Sequence, residues 1–115
     1  MSNTQQLEIF IESENDVKIV RPVGDIDLSG APALRQQISQ AQKENPSRLI
    51  VDLSGVPYMD SSGLATLVEA MQIARRNNAI LIICSLQDKV RSIFEIARLD
   101  MVFKIAASRE EAISM

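Results

Sequence analysis

Leu49-Ile50-Val51-Asp52-Leu53-Ser54-Gly55-Val56-Pro57-Tyr58-Met59-Asp60-Ser61-Ser62-Gly63-Leu64 is the stretch whose reading decides the fold of this chain. Its first five residues are short and mostly apolar, as expected of a strand covered on both faces. From Leu64 the apolar residues Leu67, Val68, Met71 and Ala74 recur at helical spacing, so a helix is expected to begin there. Arg75 and Arg76 stand in its last turn, where cations complement the helix dipole, and Asn77-Asn78 closes it. A strand that runs through a short turn into a helix is half of a crossover, and it implies a further parallel strand.

The flanking sequence supplies the rest. Upstream, Leu7, Ile9 and Ile11 alternate with Glu8, Phe10 and Glu12, a period of two that predicts a half-buried strand. Asn15-Asp16 turns the chain into a second strand, Val17 to Val20, paired with the first as a hairpin. Pro22 is expected to end that strand or to place it at an edge. A polar loop, Gly24-Asp25-Ile26-Asp27, precedes a helix capped by Ser29 or Gly30, with Pro32 in its first turn and Ala31, Leu34, Ile38 and Ala41 on its apolar stripe. Asn45-Pro46 stops it. Downstream, Ala79 to Cys84 predicts a buried strand, Val90, Ile93, Phe94 and Ala97 a third helix, and Val102 to Ile105 a last strand. Ser108 to Glu111 has the capping-box spacing and predicts a final helix. The order predicts one α/β domain with a mixed sheet of about four to five strands. There are no internal repeats, linkers or low-complexity segments.

Composition removes several classes of function. With 115 residues, 46% hydrophobic and 23% charged, the chain reads as one soluble globular domain, and with 3% aromatics its core must be aliphatic. A net charge of −3 argues against nucleic acid as the main partner. Cys84 is the only cysteine, so no internal disulfide forms, and its apolar surroundings predict a small buried hydrophobe. Met1 to Gln6 does not read as a signal peptide, and no apolar run reaches about 18 residues, so a cytoplasmic protein with no membrane span is expected. With no histidine, a serine triad of the usual type lacks its base, and zinc sites built from His and Cys are excluded. Neither of the common glycine-rich phosphate loops is present. Asp25 and Asp27, near Asp60, could bind a hard cation, but a solvated acidic loop is the better reading. An enzyme or a nucleotide-binding module is therefore not the expected reading.

What remains is Asp60-Ser61-Ser62-Gly63: two hydroxyls at a helix N-terminus beside a carboxylate. Phosphorylation of Ser61 would add about −1.5 to −2 charges and three strong acceptors. The free backbone N–H groups and the dipole at a helix N-terminus would stabilise that charge without unfolding the domain. Asp25, Asp27 and Asp60 would already make the surface acidic. On local chemistry alone the same tetrapeptide can be nothing more than an N-cap and its turn.

The segment Val51 to Leu64, with Gly24-Asp25-Ile26-Asp27-Leu28-Ser29 and Ala31-Pro32 upstream, closely resembles the paired signatures of bacterial anti-sigma factor antagonists of the STAS domain family. The resemblance spans nearly the whole chain, a single STAS-like domain over 1–115 with its core at about 7–113. It implies a mixed sheet with helices largely on one face. It implies that the unphosphorylated form binds an anti-sigma factor that is also an ATP-dependent serine kinase, which frees the sigma factor. Phosphorylation on Ser61 would switch binding off, with Ser62 the second choice, and a metal-dependent serine phosphatase would reset the switch. Asp60 would orient Ser61 and shape the kinase contact, Ser62 would hydrogen-bond locally, and Gly63 would let a partner approach the backbone. Gly24, Asp25 and Asp27 would lie on the partner-binding loop beside the site. Met59 and Leu64 are candidate apolar contacts, though core is the better reading for each. The same resemblance also fits a STAS-type subunit of a transport or stress-signalling assembly whose serine is never phosphorylated.

Overall fold

In the computed structural model, which describes residues 6–115, the chain forms a five-stranded sheet and four helices. All of Met1 to Gln6 but Gln6 itself lies outside the described residues, so the signal-peptide expectation falls there. The strands are β1 (Glu8–Glu14), β2 (Val17–Val23), β3 (Arg48–Asp52), β4 (Ile80–Cys84) and β5 (Lys104–Ala106). The helices are α1 (Ala31–Lys43), α2 (Ser61–Arg76), α3 (Asp88–Ile96) and α4 (Arg109–Ser114), with a single 3₁₀ turn at Leu99–Met101. The sheet order is β1-β2-β3-β4-β5, with β1 antiparallel to β2 and every later pair parallel.

That order explains where the helices sit. Successive parallel strands laid down in one direction, each joined by a right-handed crossover, place every crossover helix on the same face. Leu49, Val51, Leu81 and Ile83 from the strands therefore meet Leu34 and Ile38 of α1, Leu67 and Met71 of α2, and Val90 and Phe94 of α3 in one cluster. Phe94 and Phe103 meet edge to face at 5.5 Å. The alternate strand residues Ile19, Ile50, Ile82, Cys84 and Ala106 face the opposite way, where Ala112 and Ile113 of α4 cover them. Among the described residues no helix is long and apolar enough to cross a membrane.

Three boundaries and the burial of one strand differ from the sequence reading. β2 continues through Pro22 to Val23, because its ladder with β3 stops at Val20–Val51 and no bond on that side needs the missing N–H. β1 is an edge strand, and Ile11, read as half-buried, is 39% exposed. α2 begins at Ser61 rather than Leu64, so Asp60 is its N-cap. β5 starts two residues late, because Leu99 to Met101 winds as 3₁₀ helix after Arg98, which has a positive φ of 60°.

Candidate functional site

The site lies at the carboxyl end of the parallel strands, where β2 and β3 separate and run on into the turns before α1 and α2. Gly24 donates to the Gly55 carbonyl at 2.9 Å, Ile26 donates to Tyr58 at 3.0 Å, and Asp60 donates back to Ile26 at 3.1 Å. These bonds carry a parallel bridge, Ile26 to Met59, beyond the end of the regular sheet. Gly24 has φ +120°, a conformation that excludes most side chains, so its glycine is required by the bend after β2.

Each segment then enters the same kind of turn. At the first, the Asp27 carboxylate accepts from Ser29 N–H (3.0 Å), Ser29 Oγ (2.7 Å) and Gly30 N–H (3.2 Å). At the second, Asp60 Oδ1 accepts from Ser62 N–H (2.9 Å), Ser62 Oγ (2.5 Å) and Gly63 N–H (3.4 Å). Both are Asp-x-Ser-Gly, in which a short acidic side chain satisfies N–H groups that the helix start leaves unpaired. Gly30 is the N-cap of α1, one of the two expected positions, but it supplies no side chain, and the Asp27 carboxylate holds the turn that precedes it. The Ser62 hydroxyl above all, with the N–H groups of Ser62 and Gly63, holds the Asp60 carboxyl below its ordinary value, against desolvation and, more weakly, the Asp27 charge. The Asp27 carboxyl is lowered by the Ser29 hydroxyl and N–H in the same way.

The two serines of the site are therefore not equivalent. Ser62 is half-buried, with its hydroxyl committed to Asp60 and its carbonyl accepting from Thr66 Oγ1 at 2.9 Å. Ser61 is exposed, and its hydroxyl has no hydrogen-bond partner among the described residues. Asp60 consequently orients Ser62 and Gly63, not Ser61 as expected from the sequence. The N–H groups of Ser62 and Gly63 are likewise already taken, so a phosphate on Ser61 would have the helix dipole but not those donors. The expected stabilisation by free N–H groups is thereby limited to donors that Asp60 does not occupy.

Gly63 is also corrected. It is buried, and a Cβ there would stand 2.5 Å from Met59 Cγ and 2.8 Å from Ile26 Cγ2, so its lack of a side chain serves the core rather than a partner. Met59 is fully buried and Leu64 half-buried against the main core. Asp25 is exposed on the loop beside Asp27. Among the described residues no three or more Asp, Glu or Cys side chains cluster so as to hold a metal ion. Cys84 is buried, and burial above all pushes its thiol up to about 11, as an inert core thiol requires.

Sequence reading missed two features. Asp52-Leu53-Ser54-Gly55 is a third Asp-x-Ser-Gly, with Asp52 accepting from Ser54 N–H at 2.9 Å. The recurrence was visible as a tetrapeptide pattern. Asp52 also pairs with Arg109, which forks onto Glu12 at 3.0 and 3.1 Å, an arrangement that ties α4 to β1 and β3. Nothing local in the sequence joins residues so far apart.

The STAS domain family model matches residues 8–112, and the chain belongs to that family. It is 29% identical over 99 residues to the anti-sigma-B factor antagonist of Bacillus subtilis, covering 86% of this chain and 89% of that protein. Among solved structures it resembles an anti-sigma factor antagonist from Mycobacterium paratuberculosis, with TM-score 0.89, 24% identity, and 99% and 97% of the two chains covered. It also resembles the Bacillus cell fate determinant SpoIIAA in its phosphorylated form, with TM-score 0.72, 22% identity, and 93% and 97% covered. These matches agree with the single α/β domain and mixed sheet described above.

Proposed function

We propose that this chain is an anti-sigma factor antagonist that acts by binding rather than by catalysis, and that Ser61 is its phosphorylation switch. The observation that carries this is the contrast between the two hydroxyls. Ser61 stands exposed at the start of α2 with its hydroxyl unbonded among the described residues, while Ser62 is locked onto Asp60. A kinase could take the Ser61 hydroxyl without opening the turn, whereas Ser62 would have to break the N-cap first. The similarity to anti-sigma factor antagonists supports the partner class.

In this reading the unphosphorylated chain binds an anti-sigma factor serine kinase in the cytoplasm and frees a sigma factor. The phosphate adds a dianion beside Asp60 and Asp27 at a surface that must be desolvated on binding. A loss of about 3 kcal/mol weakens binding about 100-fold, enough to separate the partners. A serine phosphatase restores the bound state. Asp25, Asp27 and Asp60 contribute charge to the contact, while Gly24 and Gly63 shape the backbone that presents it. The kinase supplies the ATP, and this chain needs no cofactor.

The test is intact-mass and fragmentation spectrometry of the protein from its own cells, with titration of Ser61→Ala and Ser61→Asp against the kinase so identified. The expected result is one phosphate on Ser61, constitutive binding by Ser61→Ala and weak binding by Ser61→Asp. Absence of phosphate under growth and stress conditions, with a partner held equally by both variants, would overturn the switch in favour of a stable-subunit role.

A further inference from the structure

The turns at Asp27-Leu28-Ser29-Gly30 and Asp60-Ser61-Ser62-Gly63 share one construction, and they differ in the residue each presents. In both, Asp holds the Ser and Gly N–H groups, so the residue between Asp and Ser is the one left outward. In the second turn that residue is Ser61. In the first it is Leu28, which is 79% exposed. The bridge between Ile26 and Met59 sets the two segments in register, so residues 28 and 61 leave adjoining strand ends at matching positions. Tyr58, 46% exposed, accepts through its carbonyl from Ile26 N–H and so belongs to the same pair of segments.

We infer that Leu28 is the apolar anchor of the Ser61 face, seated on binding in an apolar pocket of the kinase partner whose rim carries Lys or Arg. This inference rests on the function proposed above. An exposed leucine alone says little, since single apolar side chains are common on surfaces. Leu28 differs in its surroundings. The fold makes no use of its side chain, because Asp27 and its bonds to Ser29 and Gly30 hold the start of α1. By the register of the Ile26–Met59 bridge it stands at the position that matches the proposed modification site.

The charge around it selects the partner. Residues 22–34 and 49–74 contain no lysine or arginine, while Asp25, Asp27 and Asp60 flank the patch. A complementary surface therefore combines an apolar pocket with a cationic rim. The anchor also explains how added negative charge could release a cationic partner. Seating Leu28 excludes water from the ground next to Ser61, and a dianion there loses its hydration without gaining the N–H groups that Asp60 already holds.

The test uses the full chain and the purified kinase that phosphorylates wild type on Ser61. Leu28→Ala should bind about 10- to 50-fold more weakly, since most of a leucine's burial is lost. Its phosphorylation should show a raised KM and an unchanged kcat, and its thermal midpoint should match wild type. Leu28→Met, which keeps the apolar volume, should retain binding within a few-fold. If wild type binds and Leu28→Ala matches it in affinity and KM, the anchor is wrong and the switch stands. If wild type neither binds a kinase nor takes phosphate, the switch and the anchor fall together.

Discussion

Replacing Gly63 with alanine tests whether that glycine belongs to the core or to a partner surface. The added methyl would lie 2.5 Å from Met59 Cγ, 2.8 Å from Ile26 Cγ2 and 3.2 Å from Met59 Sδ. Ordinary carbon–carbon contact is about 3.5–4.0 Å, so the first clash is about 1 Å deep. Neither neighbour yields easily. Both are fully buried, and their backbones are bridged to each other. Overpacking of this kind costs about 1–3 kcal/mol, while alanine in place of glycine in a helix returns up to about 1 kcal/mol. The expected net loss is about 1–2 kcal/mol, or a fall in Tm of roughly 4–10 °C for a chain of this size. Urea unfolding should show a lower midpoint with an unchanged slope. A second measurement makes the cause specific. Met59→Ala removes the clashing Cγ, so in that background Gly63→Ala should cost little, a coupling of about 1 kcal/mol or more. A Gly63→Ala variant as stable as wild type, or effects that simply add, would refute the packing argument and return Gly63 to the partner-approach reading.

Two further perturbations probe the supports of the site. Asp60→Ala should lose about 1 kcal/mol at neutral pH, because the cap on Ser62 and Gly63 is gone. The Asp60 carboxyl is lowered in the folded state, so its contribution is complete above its ordinary value of 3.8 and is lost as pH falls through the folded value. The gap in urea midpoint between wild type and variant should therefore hold from about pH 7 to 5 and close below about pH 4; a gap that widened on acidification would contradict the cap. Arg109→Ala should cost about 2–3 kcal/mol, since it leaves the buried Asp52 carboxylate without its cation. Glu12→Gln should cost far less, because that carboxylate stands in water; equal losses in denaturant titrations would rule out Asp52 as the member that matters.

The α/β class and the element order were legible because each segment carries its own period, two in β1 and 3.6 in the helices. The start of α2 was misplaced because apolar periodicity begins only at Leu64, whereas the helix is opened by hydrogen bonds from Ser62 and Gly63 to Asp60. Pro22 misled for a related reason. Its cost depends on which neighbouring strand needs its N–H, and that is a property of the ladder rather than of the residue. Gly63 was read as an opening for a partner because a glycine in a sequence does not say what occupies the space it leaves.

By itself the sequence determined the alternation of strands and helices, the absence of histidine, the single cysteine, and the Asp-Ser-Ser-Gly segment ahead of an apolar helix. Those depend on local composition and spacing. Only the tertiary structure decided which serine Asp60 holds, since Ser61 and Ser62 are alike in sequence and the carboxylate reaches Ser62. It alone set Leu28 in register with Ser61, because the bridge between Ile26 and Met59 joins segments more than thirty residues apart. It also filled the space at Gly63 with Met59 and Ile26, a consequence of packing two strand ends under one helix.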